Sequence, residues 1–113
     1  MNVAIYTRFS GGADATGLDQ LRAIEAKLQE LRLPWKIVAV CHEVGSSKGT
    51  KNAILELLKG LRNENIEINA VIAVSQERFS RGRPLDTEPE FVGIDFLTAD
   101  CDLKLRMKLE FNE

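Results

Sequence analysis

Residues 68–75 read INAVIAVS, and they decide the fold. In an extended chain Ile68, Ala70, Ile72 and Val74 fall on one side, and Val71 and Ala73 on the other. Both sides are apolar. A strand without a wet face belongs in the middle of a parallel sheet covered by helices above and below. The chain upstream supplies the rest of such a sheet. Val3 to Tyr6 begins a first strand. Thr16-Gly17-Leu18-Asp19 fits the S/T-x-x-D/E pattern that caps a helix. Leu18, Leu21, Ile24, Leu28 and Leu31 then share one helical face, with Arg22, Glu25, Lys27, Gln29 and Glu30 largely elsewhere, up to Pro34. Trp35 to Val44 (WKIVAVCHEV) is a second strand and Gly45 to Thr50 a loop. Ile54, Leu57, Leu58 and Leu61 mark a second helix, closed by the polar run Arg62 to Asn65. The βαβαβ order predicts an α/β fold of three layers, a central, mostly parallel sheet of four to five strands flanked by helices.

The last third is less regular. Arg81 to Glu90 (RGRPLDTEPE) carries two prolines and reads as loop, and Phe91 to Ala99 as one short helix. Leu103 to Phe111 alternates strictly, with Leu103, Leu105, Met107, Leu109 and Phe111 on one face and Lys104, Arg106, Lys108 and Glu110 on the other. That period predicts a strand, and its lysines suit a sheet edge, where charge discourages stray pairing.

Composition narrows the class. A chain of 113 residues fits one domain, and 44% hydrophobic residues supply a core. The net charge of −2 excludes a surface built as a whole for polyanions but leaves room for a local basic patch. No apolar run approaches the ~18 residues of a membrane span, and the N-terminus has no signal-peptide pattern, so a soluble cytoplasmic protein without membrane contact is expected. Cys41 and Cys101 form no C-x-x-C pair and read as buried thiols. His42 is the only histidine. It adjoins Cys41 on a strand, where neighbours point to opposite faces, so the pair is a poor metal or proton-sharing unit. No metal site is expected.

In a parallel α/β sheet, sites form beyond the carboxyl ends of the strands. Three loops lie there. The first holds Arg8, Ser10 and two glycines, with Gln20 in the first turn of the helix that follows. The second is GSSKGTK, from Gly45 to Lys51. The third is SQERFSRGR, from Ser75 to Arg83. One such loop is simply a solvated rim. Together they gather Arg8, Lys48, Lys51, Arg78, Arg81 and Arg83 on one edge of an otherwise acidic chain. Arginines beside hydroxyls and glycine-rich helix starts suit phosphate, through planar two-pronged hydrogen bonds and backbone N–H donors. Ser10 has no histidine base near it in sequence, but an arginine-rich site stabilises both the attacking oxygen and the charge gathering at phosphorus. The set points to attack by Ser10 on a phosphodiester, giving a phosphoserine ester.

Four segments, in order, carry a resemblance. Tyr6 to Ser10 (YTRFS) resembles the Y-x-R-x-S start of the serine site-specific recombinases, the resolvase/invertase family. Gln20 stands where that family has a glutamine early in its first helix. Glu43 to Ser47 (EVGSS) resembles its D-x-x-S-G loop, and Gln76 to Arg81 (QERFSR) its L-D-R-L-x-R segment. The likeness covers roughly residues 2–83. It implies a resolvase-like catalytic domain that cuts DNA by direct serine attack, forms 5′-phosphoserine links and rejoins the strands without metal or cofactor. By the same resemblance Ser10 is the nucleophile, and Arg8, Arg78 and Arg81 bind phosphate. Gln20 and Ser46 are supporting polar contacts, and Glu77 is the candidate to pass a proton to the leaving 3′ oxygen.

Two positions depart from the pattern. Lys51 stands for an arginine and lacks its planar fork. Glu77 stands for an aspartate and is one methylene longer. After Arg83 the likeness fades. The expectation is one domain over residues 1–113 with no DNA-binding domain, taking DNA as partner and a second subunit through segments outside it. Two other readings use the same residues. One is a catalytically silent resolvase-like module that binds DNA or a partner. The other is an unrelated α/β domain for a small phosphorylated ligand, against which stands the absence of G-x-x-x-x-G-K-[ST] and G-x-G-x-x-G.

Overall fold

The computed structural model describes residues 1–9, 11, 16–45, 52–75 and 93–100. In chain order these form β1 (Asn2–Phe9), α1 (Gly17–Glu30), β2 (Lys36–Val44), α2 (Asn52–Asn63), β3 (Ala70–Ala73) and β4 (Asp95–Thr98). The strands make one sheet in the order β2-β1-β3-β4, and every neighbouring pair is parallel. Parallel neighbours need a crossover between them, and here helices supply the first two. One crossover runs from β1 to β2. The next returns past β1 to β3 on its other side, so the two helices cover opposite faces.

Alternation along the inner strands builds the three layers. Val3 and Ile5 of β1, Ala70 and Ile72 of β3 and Leu97 of β4 pack with Ile24, Leu28 and Leu31 of α1 and its C-terminal turn. Ala4, Tyr6, Val71 and Ala73 face the other way, onto Ile54, Leu58 and Leu61 of α2, with Cys41 of β2. Ile5, Ile24, Ile54 and Ile72 are essentially closed to solvent. Each contributes about 1.5–3 kcal/mol by leaving water. The strand INAVIAVS is central and apolar on both faces, though its ladder is confined to Ala70–Ala73.

Local chemistry sets the helix ends. Thr16 caps α1, its side-chain oxygen accepting from the Asp19 N–H at 3.1 Å. Both helices stop in the same hydrogen-bonded turn. Leu33 N–H donates to Leu28 O at 3.0 Å and Arg32 N–H to Gln29 O at 3.1 Å, with Arg32 in the left-handed region (φ 54). Ile66 N–H donates to Leu61 O at 2.8 Å and Asn65 N–H to Arg62 O at 3.0 Å, with Asn65 at φ 61. This is the Schellman arrangement, and Leu28 with Leu33 supplies its apolar contact in the core. Helix α1 therefore ends at Glu30, before Pro34 has any say.

Two expectations are corrected. The helix expected over Phe91 to Ala99 gives way, among the described residues, to a strand: Asp95–Thr98 is β4 and pairs residue for residue with Ala70–Ala73. Leu97 turns to the α1 side and Phe96 to the α2 side. A stretch of four residues is too short for its own period to separate strand from helix, and the open edge of β3 decides. Leu18 leaves the buried face of α1 (52% exposed), and Gln20 takes its place inside (1%). The loop over 81–90 and the alternating stretch over 103–111 lie outside the described residues.

The N-terminus of α1 closely approaches the sheet. A Cβ at Gly17 would stand 2.6 Å from His42 Nδ1 and 3.0 Å from Thr7 Oγ1. Those two atoms are themselves 2.6 Å apart and hydrogen-bonded. Gly17→Ala should therefore cost about 1–3 kcal/mol in denaturant unfolding. The loss should shrink when His42→Ala is added, because the two positions share one space.

Candidate active site

The site is built outward from the end of β1. Main-chain groups of this strand alternate between its two neighbours. Met1 O and Phe9 O accept from Lys36 and Gly45 on the β2 side, whereas Asn2 O accepts from Asn69 on the β3 side. Arg8, like Asn2, thus turns its N–H and C=O toward β3. Pairing with β3 covers only Val3 to Ile5. Beyond it lies the crevice where the strand order reverses, the usual place for ligands in such sheets. Gln20 of α1 fills this gap. Its Oε1 accepts from the Arg8 N–H at 3.1 Å, and its Nε2 donates to the Arg8 carbonyl at 2.8 Å. The side-chain amide acts as one more rung of the sheet, which explains why a polar residue is among the most buried in the helix.

The Arg8 side chain points to the α2 face, and Glu43 stands opposite it in the β1–β2 register. Arg8 Nη2 donates to the Glu43 carboxylate and to the Tyr6 phenol oxygen, while Nη1 donates to the Gly45 carbonyl at 3.2 Å. The Tyr6 hydroxyl donates to the same Glu43 oxygen. The side chains of Arg8 and Glu43 are only 4% and 12% exposed. A guanidinium at this depth needs a counter-charge, and Glu43 provides it. Burial, then the bond to Glu43 and its charge, push the Tyr6 phenol far above its ordinary range, so Tyr6 stays protonated and keeps donating. Burial, reinforced by Glu43, also pushes the neighbouring Cys41 thiol up to about 11. Cys41 and His42 part to opposite faces, the thiol into the α2-side core and the imidazole onto Thr7.

Arg8 and Gln20 are thus brought together at the carboxyl edge. Gly45, the first residue of the second loop, is tied to Arg8. The Ile5–Ile72 register delivers the end of β3 to the same edge. Ser10, Ser46, Lys51, Glu77, Arg78 and Arg81 lie outside the described residues. Tyr6 and Glu43 are the first residues of two motif segments, but sequence reasoning gave neither a role. A signal existed: Tyr6 and Arg8 are two apart on one strand face, and Glu43 is the acid at the end of the adjacent strand. Knowing that these strands are neighbours, in that register, was needed to use it.

The fold is that of the catalytic domains of serine recombinases. The chain is similar to the C-terminal catalytic domain of ISC1926 TnpA, an IS607-like serine recombinase, with a TM-score of 0.65 and 19% identity, over 96% of this chain and 78% of that one. It is similar to the N-terminal catalytic domain of TP901-1 integrase with a TM-score of 0.64 and 19% identity, over 96% and 90%. A serine recombinase from Sulfolobus solfataricus gives 0.58 and 19%, over 95% and 76%. At this identity the likeness is one of fold. No family model matches the sequence, and no curated protein matches it. Among the described residues, no helix is long and apolar enough to cross a membrane.

Two measurements check this site. Gln20→Ala removes both bonds to the Arg8 main chain and should lower unfolding free energy by about 2 kcal/mol or more, since each buried group stranded costs about 1–3 kcal/mol. With its pKa raised, Cys41 is a protonated thiol at pH 8. In a Cys101→Ser chain it should react with a disulfide reagent only as fast as the protein opens, and rapidly in denaturant.

Proposed function

We propose that the chain is the catalytic domain of a serine site-specific DNA recombinase, cleaving and rejoining DNA through a 5′-phosphoserine intermediate. The observation that carries this is a fold shared over at least 95% of the chain with serine recombinase catalytic domains, combined with an arginine fixed at the end of β1 two residues before Ser10. In the proposed reaction the Ser10 Oγ–P bond forms as the P–O3′ bond breaks. The serine proton passes to solvent water, and the 3′ oxygen takes up a proton from a protonated Glu77, the role its motif position suggests. Arg78 and Arg81, with Arg8, would stabilise the charge on the phosphoryl oxygens, while Ser46 and Lys51 would contact the backbone phosphates. Gln20 would serve by holding the strand end on which Arg8 and Ser10 depend. The intermediate keeps the phosphate ester energy, so rejoining needs no cofactor. DNA is the partner, and a second subunit would be recruited by segments outside this domain.

The Arg8–Glu43 pair favours one other reading, a catalytically silent module of the same fold, because a neutralised arginine attracts phosphate weakly. One experiment separates the two. The protein is incubated with a DNA duplex nicked at its recombination site and run on a denaturing gel. A covalent protein–DNA adduct that is lost in Ser10→Ala is expected. An equal adduct from Ser10→Ala removes Ser10 from the role, and no adduct from the unaltered chain favours the silent module.

A further inference from the structure

We propose that Glu43 occupies the place on Arg8 that a phosphate group takes, so that Glu43 controls whether Arg8 can bind one. The identity of that phosphate as a DNA phosphodiester rests on the recombinase reading; the exchange itself does not. Carboxylate and phosphate present the same pair of acceptor oxygens to a guanidinium. Each brings one negative charge in the phosphodiester case, so exchanging them keeps the buried Arg8 neutralised. The contacts fit such an exchange. Nη2 of Arg8 is spent on Glu43 and Tyr6, and Nη1 on the Gly45 carbonyl. Both Nη2 hydrogens are taken in this arrangement, so an anion that binds at Nη2 must take the place of Glu43. Glu43 is the more exposed member of the pair and sits on β2, the outer strand of the sheet. Tyr6 holds Glu43 on Arg8 through its own hydroxyl. It is buried completely, and it is an alternative donor that stays with the carboxylate when Arg8 lets go.

The proposal therefore makes Arg8 a latent phosphate ligand whose use depends on moving a neighbouring acid. It also links two loops. Releasing Glu43 frees Arg8 at the end of β1 and, through Gly45, changes what holds the start of the second loop.

The test needs no knowledge of the DNA site. Thermal unfolding of the chain is followed with inorganic phosphate replacing chloride at matched ionic strength. The unaltered chain should shift by less than about 1 °C, because Glu43 holds the site. Glu43→Gln keeps the shape and removes the competing charge, leaving Arg8 without its counter-charge. It should start less stable and gain about 4 °C or more across the same titration. The gain should vanish in Arg8→Ala combined with Glu43→Gln. A gain that survives in the double variant, or equal responses in Glu43→Gln and the unaltered chain, overturns the proposal. If Glu43→Gln does not fold, Tyr6→Phe decides instead. It keeps the charge and withdraws one donor from Glu43, so it should respond to phosphate more than the unaltered chain, and an identical response overturns the proposal. A phosphate response without any Ser10–DNA adduct removes the recombinase reading and leaves the exchange standing. An adduct without the phosphate response does the reverse, and a response to free phosphate that DNA does not compete away identifies a small phosphate as the ligand.

Discussion

A positive charge buried at the end of the central strand is the constraint around which this domain is arranged. Arg8 has almost no contact with water, so each hydrogen-bonding group of its backbone and the charge of its side chain need partners from the protein. Those partners come from three elements. Gln20 reaches down from α1, Glu43 stands on β2 and Gly45 opens the loop after it. None of them can be moved without leaving something unpaired in a place where that is costly. The strand end is anchored by these bonds on both sides, although strand ends usually fray.

Anchoring there matters because of the topology. The strand order reverses between β1 and β3, and the last residues of β1 have no strand beside them on that side among the described residues. A crevice in the sheet exposes main-chain donors and acceptors, which is why ligands gather at such points in α/β proteins. Here a glutamine side chain satisfies the strand end from above. The crevice is left framed by a fixed backbone, with the arginine on the α2 face and the threonine–histidine pair on the α1 face. Under the proposed function, this is the strand end that Ser10 follows.

The low identity to serine recombinase domains of the same fold has a physical reading. What the fold needs from β1 and β3 is small or branched apolar residues in alternation, and many sequences meet that need. The demands that select particular residues are few. They include a side-chain amide at Gln20 to complete the ladder, a residue without a Cβ at Gly17 where α1 meets the sheet, and an acid beside a buried arginine. A chain can change most of its residues while keeping these.

The sequence by itself determined the layers. Period-2 and period-3.6 patterns placed β1, α1, β2, α2 and β3, the Thr16 cap fixed where α1 starts, and the doubly apolar face of β3 required a covered parallel sheet. These are local signals, carried by residues a few positions apart. What only the tertiary structure decided involves partners far apart in the chain. Asp95–Thr98 became a strand because β3 offered it an edge, not because of its own period. Gln20 went inside and Leu18 outside because the strand end beneath them had an unfilled main-chain pair, which outweighs the burial of one leucine. Arg8, legible in the sequence as a phosphate ligand on an open rim, is instead enclosed by Tyr6 and Glu43. The latter is 35 residues away and meets Arg8 only through the β1–β2 register. Register between strands is set by the packing of whole faces, and no local pattern encodes it.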